Sequence, residues 1–193
     1  RDLLDEDEYA LVSGHFEKLG LPMVFLDRIK PMFLSAMSSE DALSFNSDTA
    51  EIVSYEMELM GMAKTQEKPM AGLETAAFQM SMFDSIPYEV QARMLVESIE
   101  AGDTGNEQFR QMVELYKAQD LQGLQDMLNA DPEGLGEYTE LLLERRNRNW
   151  IPVMSEMMTK GPVFFAVGAG HLGGEAGVIA LLREEGYTVR PVR

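Results

Sequence analysis

Cysteine is absent from this chain of 193 residues, tryptophan occurs once and histidine twice. Without cysteine there is no disulfide, thiolate nucleophile or cysteine-based metal site, which suits a reducing cytoplasm or a bacterial periplasm equally. With His15 and His171 as the only imidazoles, histidine alone cannot make a metal centre. Basic residues are scarce as well. Sixteen Lys and Arg stand against 33 Asp and Glu, for a formal charge of −17, so phosphate backbones and anionic membrane surfaces are repelled and nucleic acid is not expected as a partner. No apolar run approaches the ~20 residues that span a bilayer, so no transmembrane segment is expected. The chain starts Arg1-Asp2-Leu3 without a signal-peptide pattern, and the absence of Met leaves a removed leader open.

The 45% of hydrophobic residues is enough for a real core, most simply that of one domain. Asp5 to Leu19 predicts an amphipathic helix, with acids in its first turn and Leu11, Val12, Phe16 and Leu19 before Gly20. Pro22 and Pro31 predict helical starts, the second running through Met32 to Leu43. Asp48 with Glu51 forms a capping-box pattern for a helix through Met62, whose buried side would carry Ile52, Val53, Tyr55, Leu59 and Met60. Further helices are expected through Phe78 to Phe83, from Pro87 to Ile99, through Phe109 to Tyr116 after a turn at Gly102 to Gly105, and over Leu121 to Leu128. Tyr138 to Arg148 gives another, and Pro152 would open the last one before the C-terminal stretch. The 15 methionines fall largely on such apolar faces, where they are expected to fill core.

Residues 162–192, PVFFAVGAGHLGGEAGVIALLREEGYTVRPV, read as the functional centre. Val163 to Val167 is a short continuous apolar run, which predicts a strand buried on both faces. A loop with Gly168, Gly170, Gly173 and Gly174 follows, then a helix bearing Val178, Ile179, Leu181 and Leu182, then an alternating segment from Tyr187 to Val192. A short strand is also expected at Met70 to Leu73. The fold class read from these signals is α/β, helix-rich, with a small, mostly parallel sheet and a C-terminal β-loop-α-β unit.

Four positions bear on chemistry. His171, between glycines at a strand end, suits a general base or a metal ligand, or simply a loop histidine bonded to backbone. Glu74 would occupy the same address on the other strand and could join it, or could answer the dipole of the helix that follows. Arg145, Arg146 and Arg148 are a solvated helix end by default, although one turned inward could bind a carboxylate or phosphate. Gly168, Gly170 and Gly173 match the G-x-G-x-x-G dinucleotide pattern, but the acid expected after the next strand is replaced by Thr188-Val189-Arg190. His15 is expected on a partly exposed helix face with a surface role.

Three segments, Gly72 to Gln79 (GLETAAFQ), Leu141 to Trp150 (LLLERRNRNW) and Phe164 to Val189, together resemble the TraB/GumN family, to which the Tiki proteases belong and which is similar in fold to erythromycin esterase and ChaN proteins. The resemblance implies one domain over residues 1–193 and a metal-dependent, peptidase-like hydrolase site. That site would use two G-x-x-H motifs with glutamates and an arginine. Gly168 to His171 matches the second motif, Glu74 the glutamate of the first segment, and Arg146 with Asn147 the arginine and asparagine of the second. On this basis His171 and Glu74 are expected to ligate a divalent metal (Mn, Co or Zn) or to act in acid-base chemistry. Arg146 would stabilise an oxyanion or orient a carboxylate, supported by Asn147. Val12-Ser13-Gly14-His15 does not match the first motif, so the chain is expected to lack the family's N-terminal part and to be inactive alone. The implied substrate is a peptide or small molecule, the implied home periplasmic or secreted rather than cytoplasmic, and self-association through uncovered apolar surface is expected. A non-catalytic module that binds a ligand or partner is the alternative.

Overall fold

A computed structural model describes residues 2–38, 54–130 and 138–192. Among them the elements are α1 (Glu6–Lys18), a 3-10 turn (Met23–Phe25), α2 (Pro31–Met37), α3 (Tyr55–Thr65), α4 (Ala76–Phe83), α5 (Tyr88–Lys117), α6 (Leu121–Asn129), a π-helical segment (Glu140–Glu144), α7 (Arg145–Thr159), a second 3-10 turn (Ala169–His171) and α8 (Val178–Glu184). The chain packs as two compact units, one of residues 1–72 and 83–102, the other of residues 73–82 and 103–193. No described helix is long and apolar enough to cross a membrane.

The first unit follows its local signals closely. Asp5 caps α1: its Oδ1 accepts from Glu8 N at 2.8 Å and its own N donates to Glu8 Oε2 at 2.9 Å, which satisfies two otherwise orphaned amides. Gly20, at φ +77°, ends the helix in the left-handed conformation that glycine adopts at little cost. Val12 and Phe16, one turn apart on α1, are fully buried with Met23, Leu26, Leu34, Leu95 and Val96. Pro31 opens α2 at its first turn, where a missing N–H costs nothing.

Gln91 ties this unit together from inside. It is completely buried, its Nε2 donates to Phe83 O at 2.8 Å and Ile86 O at 2.9 Å, and its Oε1 accepts from Met32 N at 3.2 Å. One side chain thus pairs a helix start with the turn leading into α5.

Several expectations are corrected. The α/β class is overturned, because the described residues contain no strand and therefore no sheet. The three apolar segments do exist, but a strand is defined by the neighbour that takes its N–H and C=O groups, and none of Met70 to Leu73, Val163 to Val167 or Tyr187 to Val192 pairs with another. Nor is the 163–167 run buried on both sides. Phe165 and Val167 pack against Trp150, Ile151, Met154 and Val178, whereas Phe164 is 78% exposed. A continuous apolar run predicts burial on both faces, but here only one face has a covering layer.

Other departures are local. Pro152 lies inside α7 instead of opening a helix; the buried stripe of Trp150, Ile151 and Met154 anchors the chain on both sides of it, so packing outweighs the lost hydrogen bond. The expected turn at Gly102 to Gly105 survives as a break within α5, where Gly102 takes φ 42° and ψ −114°. Helix α3 buries none of its residues, so Tyr55, Met57 and Met60 are surface side chains. The Asp48 and Glu51 pattern lies outside the described residues, and Ser54 caps this helix instead, with Oγ accepting from Met57 N. The methionine expectation holds for Met154 and fails for Met57, Met60, Met62 and Met70.

Replacing Gln91 with methionine, which is similar in volume, should strand one buried amide and two carbonyls and cost about 2–3 kcal/mol. Urea denaturation would show this as a lower midpoint with an unchanged slope; an unshifted midpoint would mean that solvent satisfies these groups.

Candidate functional site

The four residues singled out from the sequence, Glu74, Arg146, Asn147 and His171, all lie in the second unit and are connected there through a fifth, Trp150. Arg146, Asn147 and Trp150 come from α7. The π-helical turn just before it makes a wider loop, with Arg145 N donating to Glu140 O five residues back. Such insertions recur at functional sites. Arg146 Nη1 donates to Leu142 O at 2.9 Å, using a carbonyl from the middle of that wider turn.

The basic cluster divides. Arg148 points to the surface, where it pairs with Glu140 and Glu144, contacts of small energetic value. Arg146 turns inward and forks onto Glu74. Its Nε donates to Oε1 at 3.0 Å and its Nη2 to the same oxygen at 2.6 Å, with the side chains only 18% and 9% exposed. Gln79 Nε2 also donates to Glu74 Oε1, at 2.7 Å, and Trp150 Nε1 to Oε2, at 2.9 Å. Burial pushes the Glu74 carboxyl up, but the bonds from Arg146, Gln79 and Trp150 together hold it below the ordinary carboxylate range.

His171 sits in the 3-10 turn after the 165–167 segment and is 7% exposed. Asn147, 2% exposed, fixes it. Asn147 Nδ2 donates to Ala176 O at 2.9 Å and to His171 O at 3.3 Å, so its Oδ1 is the atom facing His171 Nδ1, 2.7 Å away. An amide oxygen can only accept, and the ring must therefore carry its proton on Nδ1. The lone pair of the neutral ring is left on Nε2, which has no partner among the described residues. Burial, then the charge of Arg146, lowers the imidazole pKa from 6.5 to about 4, and the charge of Glu74 opposes this.

The loop behind His171 explains the glycines. A Cβ on Gly177 would run into the carbonyl oxygens of Gly173 and Leu172, and Gly174 has φ +80°. The glycines therefore let the chain fold back on itself so that Ala176 O reaches Asn147. That is a different use from cradling a dinucleotide, for which a strand should precede and a helix open at the glycines. Here no described strand precedes them and α8 begins only at Val178.

His15 lies in the other unit, its Nε2 2.6 Å from Ser38 O and its ring edge-on to Phe16. Trp150 was missed as a site residue. Its spacing of one helical turn from Arg146 was the only available signal, and that pattern reads equally as core.

The ionisations predict how acid acts. His171 has a folded pKa of about 4 against 6.5, so the unfolded chain binds the proton first. The stabilisation from keeping the ring neutral is complete above 6.5 and is lost as the pH falls toward 4. Glu74, lowered below 4.5, contributes stability above that value and loses it at still lower pH. Thermal unfolding from pH 7.5 to 4 should therefore show a falling melting temperature, with a shallower fall in His171→Gln; parallel curves would refute the assignment.

Against known proteins, the sequence model described as the TraB/PrgY/gumN family matches residues 1–191, a span covering both units and all four predicted site residues. No curated protein and no solved structure matches the chain. With nearly the whole length accounted for, the chain belongs to the TraB/PrgY/gumN family.

Proposed function

We propose that the second unit carries the working groups of a peptidase-like hydrolase that uses a divalent metal, and that His171 Nε2 is the donor this chain presents to the ion. The observation that carries the reading is the Asn147 hydrogen bond, which pins the proton on Nδ1 and leaves Nε2 as an oriented lone pair. Histidine ligands are commonly held in this way through the other ring nitrogen. A pKa lowered to about 4 by burial supports the ligand role for His171 over that of a general base. Such a ring is unprotonated at neutral pH, as a ligand must be, but is some three units too weak for an efficient general base, whose best pKa lies near the working pH.

The fit to a metal is incomplete. No group of three His, Cys, Asp or Glu gathers among the described residues, and Glu74 would have to give up bonds to Arg146, Gln79 or Trp150 to bind one. Mn, Co or Zn, when bound, would supply Lewis-acid polarisation of a carbonyl or of water. The chain's own contribution is orientation and charge. Of the five N–H groups of Arg146, three are spent on Glu74 and Leu142, which leaves two to stabilise an oxyanion or to hold a substrate carboxylate. The substrate is a peptide or a small molecule. The family resemblance favours a periplasmic or secreted setting.

A second reading, a non-catalytic module that binds a ligand or partner, is favoured by the lack of a three-ligand cluster among the described residues. Calorimetric titration with Mn²⁺, Co²⁺ and Zn²⁺ separates the two. Binding that disappears in His171→Ala and weakens about 10- to 100-fold in Asn147→Ala is expected for the hydrolase. Binding indifferent to His171, or none at all, would transfer the assignment to the binding module.

A further inference from the structure

Trp150 is the only tryptophan in the chain, and it lies between the two groups to which the proposed site gives work. Its Nε1–H donates to Glu74 Oε2 at 2.9 Å. Its ring centroid lies 5.1 Å from Arg146 Cζ and 4.4 Å from the His171 ring, tilted by 42°. It is 4% exposed. Core filling requires only its volume, and a phenylalanine or leucine would supply most of that. The indole adds two things no aliphatic residue has: an N–H aimed at a carboxylate and a π face under a guanidinium.

Glu74 receives four donor groups from three side chains, Arg146 Nε and Nη2, Gln79 Nε2 and Trp150 Nε1. Both its oxygens are engaged, Oε1 by Arg146 and Gln79 and Oε2 by Trp150 and, at 3.3 Å, by Arg146 Nε as well. That is the arrangement of an anchor, whose rotamer decides where Arg146 lies. Across the indole stands His171, whose Nδ1 is held by Asn147 from the same helix. The ring is thus fixed on one side by Asn147 and bounded on another by Trp150.

We infer that Trp150 is a positioning residue: its N–H holds Glu74 in the rotamer that clamps Arg146, and its ring packs against the His171 ring that Asn147 holds, so the two working groups are set by one side chain. Glu74 in this arrangement serves as the anchor of Arg146 and not as a metal ligand. The inference rests on the reading that Arg146 and His171 are the working groups.

The test uses Trp150→Phe, which keeps an aromatic ring and removes only the N–H and the second ring. At neutral pH, nitrogen NMR reads two signals a space-filling role would not move: the Arg146 Nε–H, through its exchange with water, and the two ring nitrogens of His171. Exchange at Arg146 should quicken about tenfold, the equivalent of one lost hydrogen bond, and the His171 nitrogens should shift from a single Nδ1–H tautomer toward a mixture. Both signals unchanged would overturn the inference, and a change at Arg146 alone would overturn the coupling to His171. Should the phenylalanine variant not fold, Glu74→Gln leaves Trp150 in place; the single indole N–H signal should then exchange about tenfold faster, and unchanged exchange overturns the anchor. In parallel, Zn²⁺ binding that depends on His171 should weaken about tenfold in Trp150→Phe. Failure of Zn²⁺ to bind the unmodified chain would remove the hydrolase reading, whereas the exchange measurements contain no metal and decide the positioning role separately.

Discussion

The hydrogen bond from His171 Nδ1 to Asn147 Oδ1, 2.7 Å long and buried, is the constraint on which the second unit depends. It joins α7 to the glycine loop at a point where neither partner has an alternative. Asn147 has already given its Nδ2 to Ala176 O and His171 O, so rotating the amide would place two carbonyls against an oxygen. Burial makes such a mismatch costly, because an unpaired polar group cannot recover its hydration. The loop must therefore close in one way. Gly177 is the residue that allows it, since any side chain there would meet the carbonyls of Gly173 and Leu172. The ring's protonation state follows from packing, and the chemistry open to Nε2 follows from that.

Much of the local structure was legible. The first-turn acids and Gly20 bound α1 where the pattern put it, and Pro31 opens α2 as expected, although that helix ends at Met37 rather than running to Leu43. The sheet was not legible because a sheet is a relation between segments. Val163 to Val167 has the apolar composition of a buried strand, and its inward residues Phe165 and Val167 do pack, yet nothing in five residues tells whether another backbone lies alongside. Pro152 misled for a related reason. A helix that is held by Trp150, Ile151 and Met154 can carry a proline that an isolated helix could not.

The site divides along the same line. Glu74, Arg146, Asn147 and His171 were named from motifs whose order resembled a family, and the structure gathers all four in one unit. What each does was hidden, because the roles depend on pairs separated by 72 residues for Arg146 with Glu74 and by 24 for His171 with Asn147. Trp150 shows the limit most clearly. Its bond to Glu74 spans 76 residues, while its helical spacing from Arg146 was indistinguishable from a core stripe.

The charges in the site act as a unit. Arg146 lowers the pKa of His171 and Glu74 raises it, so the ion pair exerts on the imidazole only the difference between two opposed fields. Burial is the largest contribution to keeping the ring neutral. An anion placed on the two remaining N–H groups of Arg146 would act on the imidazole with the same sign as Glu74 and oppose the field of the guanidinium. In a chain with a formal charge of −17, a buried arginine held by one glutamate, with two donors to spare, is the place where such an anion can be received without opposing the sign of the whole surface at close range.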